Sequence, residues 1–293
     1  MAKKKKKKTR IIFIIPMIIS LCMLLYPWIS NWVNQRAADS DVIAYDDNVK
    51  SKSEEEIDEM IKKAREYNKE LAKTKVVLTD PFVETEEQKK EGLVYNSLLD
   101  FGGNGMMAYL EIPCIAVNLP VFHGTSAEVL ETGIGHLEGS SLPVGGETTH
   151  AVLTGHTGLN RAKLFTDLTE LKEGDLFFIH VGGENLSYEV SEINIVVPED
   201  VSKLSIREGE DLVTLITCTP YGVNTHRLLV TGKRTTYTEE AYKEAGEDRK
   251  DTDSLWMRTY KRAIIGGVLI ALVVLITIHF IRKQFKKKKM KKE

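Results

Sequence analysis

Residues 213–231 read VTLITCTPYGVNTHRLLVT, which is an apolar run, a turn and a second apolar run. The β-branched residues of the first run favour a strand, and the proline and glycine that follow favour a turn. If the two runs pair as an antiparallel hairpin, Cys218 and Arg227 lie on neighbouring strands at the same rim. The stretch therefore predicts a thiol beside a fixed cation.

A histidine that could serve as a base follows another apolar run. His156 is flanked by Gly155 and Gly158, which allow backbone to approach closely. A cation near a cysteine favours the thiolate, and a cysteine with a histidine base is the usual arrangement for thiol acyl transfer. The residues alone leave other interpretations open, because a lone cysteine at a strand end is more often a core residue and Arg227 could pair with a carboxylate.

Short apolar runs punctuated by glycine and proline fill the middle of the chain. This pattern is typical of a mainly β domain that closes, or nearly closes, into a barrel. The expected strands are 108–112, 117–122, 151–154, 176–181, 186–197, 213–217 and 227–231, with short helices at 127–132 and 162–171.

The segment before the barrel has a helical pattern. Apolar residues recur on one face between Ser53 and Lys73, and Ser53 and Glu56 have the spacing of a capping box. This predicts an amphipathic helix that packs on the domain. An extended segment around Asp80-Pro81-Phe82 follows. We also expect a short helix within 86–99 and an aperiodic linker at 238–253.

The charges of the chain are strongly polarised although its net charge is only −2. Basic blocks at 3–10 and 282–292 adjoin apolar runs at 11–29 and 263–281, each close to the roughly 20 residues that a membrane-spanning helix needs. Positive flanks favour the cytoplasm, so both termini are expected there and the chain between them outside. The alternatives are a cleaved signal peptide for the first run and a buried core helix for the second.

The three cysteines, Cys22, Cys114 and Cys218, are too few for a disulfide framework in a domain of this size. No Cys-x-x-Cys or His-x-x-x-His spacing exists in the sequence. We therefore expect no metal site. We interpret the lysine runs as topology signals beside a membrane, so no nucleic-acid partner is expected.

Three motifs resemble those of the sortase family. Residues 214–218 (TLITC) are similar to its cysteine signature, 153–158 (LTGHTG) to its histidine segment and 224–228 (NTHRL) to its arginine segment. The resemblance extends from about 106 to 234. It implies an eight-stranded sortase β-barrel with Cys218, His156 and Arg227 as catalytic residues. It also implies no metal and no organic cofactor.

The tripeptide Asp80-Pro81-Phe82 is similar to the lid of class C, the sortases that assemble pili. In that class the aromatic residue covers the cysteine and the aspartate meets the catalytic arginine. Two membrane segments also fit the class. The alternative is that Asp80, Pro81 and Phe82 form an ordinary surface turn.

The resemblance implies a cysteine transpeptidase of the Gram-positive cell membrane. It would cleave an LPXTG-like sorting signal through a thioacyl-enzyme and join pilin subunits by a lysine isopeptide bond. The alternatives are anchoring of surface proteins to a peptidoglycan precursor, or a non-catalytic, membrane-anchored binding protein.

The predicted organisation is a cytoplasmic tail at 1–10, a transmembrane helix at 11–33, extracellular N-terminal helices and lid at 34–105, the catalytic barrel at 106–237, a linker at 238–262, a second transmembrane helix at 263–281 and a cytoplasmic tail at 282–293.

Overall fold

Eight strands form a single closed barrel in the computed structural model, which describes residues 2–74, 76, 78–82, 93–158, 162–247 and 255–290. The strands are β1 (Met106–Ile112), β2 (Val117–His123), β3 (Ile134–His136), β4 (Thr149–Thr154), β5 (Leu176–Val181), β6 (Glu184–Val196), β7 (Asp211–Thr219) and β8 (His226–Thr235). Their order around the barrel is β1-β2-β3-β4-β7-β8-β6-β5. The prediction of a mainly β, eight-stranded barrel is confirmed.

Strand β3 was not predicted, because three residues are too short to show an alternating pattern. It pairs in parallel with β2 and antiparallel with β4. Its central Gly135 lies so close to the preceding loop that an added Cβ would be 2.4 Å from the Gly124 carbonyl oxygen. Glycine therefore permits the close approach that completes the barrel.

Strands β4 and β7 pair in parallel and are buried along almost their entire length. Their alternate residues belong to two different apolar clusters. Leu153 and Leu215 lie in the main core, whereas Val152 and Ile216 lie in a second cluster on the other face. Burial on both faces explains why these strands are continuously apolar.

Six α-helices and three 3₁₀-helices accompany the barrel among the described residues. The α-helices are α1 (Ala2–Lys50), α2 (Glu54–Leu71), α3 (Leu93–Ser97), α4 (Ala127–Thr132), α5 (Glu239–Glu247) and α6 (Leu255–Met290). The 3₁₀-helices are Pro113–Ile115, Thr166–Glu170 and Ser202–Leu204. The capping box of α2 is present, since Ser53 Oγ accepts a hydrogen bond from the Glu56 N–H at 3.2 Å.

Helix α1 continues to Lys50, well beyond the predicted end at residue 33. Its last turns are held by the barrel, because Ala38, Val42 and Tyr45 are buried in the main core. The Tyr45 hydroxyl also donates to the Met107 carbonyl at 3.0 Å. Tertiary packing thus extends a helix that we predicted only from its apolar run.

Three other local predictions agree with the structure only in part. The helix expected at 162–171 is a 3₁₀-helix over Thr166–Glu170. Of the helix expected at 86–99, Leu93–Ser97 is helical, and 83–92 lie outside the described residues. The predicted linker contains α5, whose Tyr242 donates to Glu111 Oε1 at 2.8 Å and packs against Phe178.

The chain divides into two compact units, residues 25–251 and residues 1–24 with 252–293. None of the helices, over the residues that the structure describes, has a stretch long and apolar enough to cross a membrane. The two transmembrane helices therefore stay a prediction.

Candidate active site

Cys218 lies at the end of β7 and pairs directly with Arg227 at the start of β8. The antiparallel register thus brings the thiol and the guanidinium together, as the hairpin pattern predicted. Cys218 is buried, with 9% of its surface exposed. The Arg227 side chain is held from its own loop as well, since Nη1 donates to the carbonyls of Asn224 and His226 at 3.3 and 3.2 Å.

His156 follows the end of β4, beside the strand that carries the cysteine. The Gly155 N–H donates to the Ile216 carbonyl at 3.0 Å, and the Thr217 hydroxyl donates to the Gly155 carbonyl at 2.7 Å. A Cβ on Gly155 would lie 2.8 Å from the ring of Phe165, so only glycine fits. These contacts fix the residue before His156 against the residue before the cysteine.

Asp80 forms a two-point ion pair with Arg227. Nε donates to Oδ1 at 2.9 Å and Nη2 to Oδ2 at 2.6 Å. The side chains are only 8% and 11% exposed, so this is an enclosed pair rather than a surface contact. Asp80 and Arg227 are far apart in sequence, and the pair therefore fastens the N-terminal segment to the barrel rim.

Phe82 lies between the arginine and the histidine. The Arg227 guanidinium carbon is 4.9 Å from the centroid of the Phe82 ring, and that ring is 5.5 Å from the imidazole of His156, tilted by 39°. The aromatic ring thus contacts two of the three predicted catalytic side chains.

The segment 78–82 also covers the second apolar cluster. Leu78 and Phe82 pack against it. Its buried members are Leu137, Val152, Leu204, Ile216 and Leu229. A cavity of about 680 Å³ adjoins this contact, bordered by the end of α2, by Val76 and Leu78 and by the connection between β6 and β7. The segment therefore covers an apolar surface that lies next to this cavity.

The closed arrangement affects the ionisation of the cysteine. Burial raises the pKa of the Cys218 thiol, the charge of Arg227 lowers it, and the charge of Asp80 raises it again. The net direction is upward, which favours the neutral thiol. For Arg227, burial has the largest single effect and lowers the pKa, but the hydrogen bonds to Asp80 and the nearby negative charges together outweigh it, so the pKa rises and the guanidinium stays charged. Asp80 thus partly cancels the cation that would activate the thiol.

The structure brings together most of the residues that the sequence singled out. Cys218, His156, Arg227, Asp80 and Phe82 meet at one rim of the barrel, and Pro81, which lies between Asp80 and Phe82 in the sequence, is buried. Cys114 instead belongs to the main core.

Sequence reasoning missed two features of this rim. The Thr217 hydroxyl was interpreted only as part of a strand, and Leu78 was not recognised as part of the cover. A hydroxyl within a mostly apolar run was the available signal for Thr217, since a buried hydroxyl needs a hydrogen-bond partner.

Known proteins give an independent comparison. Residues 110–235 match the family model described as the Sortase domain. Sortase C-1 from Actinomyces oris is 47% identical, with a TM-score of 0.57, and the match covers 62% of this chain and 99% of that one. Sortase C1 of GBS Pilus Island 1 is 39% identical with a TM-score of 0.61, over 69% of this chain and 94% of that one. Sortase D from Bacillus subtilis is 34% identical over 130 residues, which are 43% of this chain and 63% of that protein. This chain therefore belongs to the sortase family of cysteine transpeptidases, and both solved structures named above are sortases of class C.

Proposed function

We propose that this protein cleaves an LPXTG-like sorting signal and joins pilin subunits by a lysine isopeptide bond. The observation that carries the proposal is the two-point contact of Asp80 with Arg227, with Phe82 over the same rim. The similar structures support a pilus context, since one of them is the sortase C1 of GBS Pilus Island 1 and another, sortase C of Streptococcus pneumoniae, is described in connection with pilin substrate specificity.

In the first half-reaction the Cys218 thiolate attacks the carbonyl carbon of the threonine in the sorting signal. The Thr–Gly bond breaks, a thioester forms on Cys218, and His156 supplies the proton that the leaving amine needs. Arg227 lies one strand away, and its guanidinium stabilises the negative charge that develops on the carbonyl oxygen.

In the second half-reaction a lysine amine attacks the thioester carbon. The amide bond forms, Cys218 leaves as a thiolate, and His156 accepts the proton that the amine loses. His156 thus donates a proton in the first half-reaction and accepts one in the second. The lysine amine must be neutral to attack the thioester.

The lid must move before the first half-reaction. Phe82 and Leu78 occupy the apolar cluster beside Cys218, which is the surface that the leucine and proline of a sorting signal would use. The substrate therefore competes with the lid for the same contacts. Opening also removes Asp80 from Arg227 and releases the cation for catalysis.

We further propose that the protein is anchored in the membrane by two helices, within 11–33 and 263–281, with both termini cytoplasmic. Sortases are generally membrane-associated with an extracellular catalytic domain, and the basic flanks support this orientation. Protease added to intact protoplasts should degrade the region from Met106 to Arg234. Protection of that region would contradict the topology.

Co-incubation with candidate pilins, followed by mass spectrometry of the cross-link, tests the acceptor. A peptide joined to a pilin lysine supports the proposal. Transfer to the amine of a peptidoglycan precursor, with no pilin cross-link, would instead indicate a wall-anchoring sortase.

A further inference from the structure

Beyond Val190, one edge of strand β6 has no partner strand among the described residues. Strand β5 pairs with it only as far as Glu189, and the last backbone bonds on that side join Val190 to Gly174 and Asp175. From Glu192 to Val196, β8 is its only partner among the strands that the structure describes. An unpaired edge presents N–H and C=O groups that can accept another strand.

This edge carries an exposed apolar stripe. Ile193, Ile195 and Val197 alternate along the chain and are 37%, 65% and 48% exposed. Glu192 and Val196 point to the other face, where Glu192 pairs with Arg207 and Val196 packs on the second apolar cluster. Free edges are usually protected by lysine or proline, but this stretch holds neither before Pro198. Such a surface is typical of an interaction site.

The stripe is continuous with the active site. Val196 pairs with Arg227, which pairs with Cys218, so β6 ends at the rim that holds the thiol. A strand added to the edge would lie three strand spacings, about 14 Å, from Cys218. Two or three further extended residues and a lysine side chain cover that distance.

Acidic residues follow the stripe directly. Glu199 and Asp200 are exposed, and Glu199 is close enough to Arg227 to act on it electrostatically. Their negative charge complements the positive charge of a lysine that follows an apolar strand in the acceptor. The second apolar cluster, on the other face, is the surface assigned above to the sorting signal, so the stripe is left for the second substrate.

We propose that the β6 edge from Ser191 to Val197 docks an extended, alternately apolar segment of the acceptor protein and directs its lysine past Glu199 and Asp200 to the thioester. This rests on the proposed function. The mode of binding is strand addition, in which main-chain hydrogen bonds give affinity and alternate side chains give specificity. The bond formed and the thiolate released are those of the second half-reaction.

The test separates the two half-reactions in the full-length protein in detergent. The donor is a peptide containing Leu-Pro-Ala-Thr-Gly. The acceptors are hydroxylamine, a strand-forming peptide Thr-Val-Thr-Val-Thr-Lys-Gly, and the same peptide with prolines in place of both valines. Proline cannot donate to a strand ladder, so the last peptide keeps the lysine and loses the docking.

We expect the strand-forming peptide to have an acceptor KM at least tenfold below that of the proline peptide. Ile195→Lys and Ile193→Lys should remove this difference while the hydroxamate rate stays within twofold of wild type. Ile43→Lys is the matched control, since Ile43 is 63% exposed on α1, and it should keep the difference.

An unchanged preference in both edge variants would overturn the docking proposal. So would a wild type that forms hydroxamate but does not distinguish the two peptides. A change from dimer to monomer in Ile195→Lys, at constant acceptor KM, would assign the edge to a second copy of the chain and overturn it too. Failure of the wild type to form hydroxamate would contradict the proposed function itself, and the docking with it.

Discussion

Removal of the Asp80 carboxylate should open the lid. An exposed ion pair contributes about 0 to 1 kcal/mol, but the pair with Arg227 is enclosed, with side chains 8% and 11% exposed. Hydrogen bonds to charged groups contribute about 1.5 to 3 kcal/mol each. A loss of about 3 kcal/mol from the closed state corresponds to about a hundredfold increase in the open population, since 1.36 kcal/mol is a factor of ten.

The assay is the rate at which a small charged thiol reagent modifies Cys218, followed by peptide mass spectrometry. Asp80→Ala should raise this rate between about tenfold and a hundredfold, with a plateau once the lid is mostly open. The negative charge of Asp80 also raises the pKa of the thiol, so its removal lowers that pKa and increases the rate further. Phe82→Ala should raise the rate about fivefold, because the half-buried ring contributes about 1 kcal/mol.

Glu184→Ala is the matched control. It removes a carboxylate from an exposed ion pair with Arg65, whose side chains are 42% and 46% exposed, and should leave the modification rate unchanged. If Asp80→Ala and Phe82→Ala both react at the wild-type rate, the segment is only a surface turn and the reasoning about the lid is wrong.

Two further predictions concern catalysis and acid stability. His156→Ala and Arg227→Ala should each lower the transpeptidation rate by a factor of about 10² or more, because proton transfer and oxyanion stabilisation each typically accelerate a reaction by that much. Steady-state kinetics with a sorting peptide measures this effect. Rates within tenfold of wild type would exclude the assigned roles. Complete burial lowers the pKa of His136 to about 4 from 6.5. As the pH falls, His136 therefore binds a proton in the unfolded chain before it does so in the folded chain. Between pH 7.5 and pH 5 this residue should lower the free energy of unfolding by about 2 kcal/mol. Urea unfolding at both values measures it, and His136→Asn, which should show a smaller decrease, is the control.

The barrel could be predicted because its strands are strongly patterned. The apolar runs of β4 and β7 reflect burial on both faces, and the length of the turn after Cys218 sets its register against Arg227. Local sequence determines both features. Strand β3 could not be predicted, because its three residues are extended only through their pairing with β2 and β4.

Helix α5 and the end of α1 were missed for a related reason. Their stability comes from contacts with distant parts of the chain, such as Tyr242 with Glu111 and Tyr45 with Met107. Sequence patterns show which side chains can pack, but not which surface will be available to them.

The contact between Asp80 and Arg227 shows the limit of sequence reasoning most clearly. Asp80 and Arg227 are separated by 147 positions, and no local pattern relates them. Only the resemblance to class C suggested that they meet. The structure adds what the resemblance did not, namely that the pair is enclosed and that Leu78 shares the apolar surface with Phe82.

The thioester on Cys218 is the central claim, and mass spectrometry of the acid-quenched, digested protein measures it directly. The full-length protein is mixed with a Leu-Pro-Ala-Thr-Gly peptide, quenched in acid and digested. We predict an adduct equal to the peptide up to its threonine, minus one water, located on Cys218, present in Cys114→Ala and absent from Cys218→Ala. The covalent mechanism would be contradicted by an adduct that persists in Cys218→Ala. It would also be contradicted if Asp80→Ala cleaves the peptide but shows no adduct at any time point.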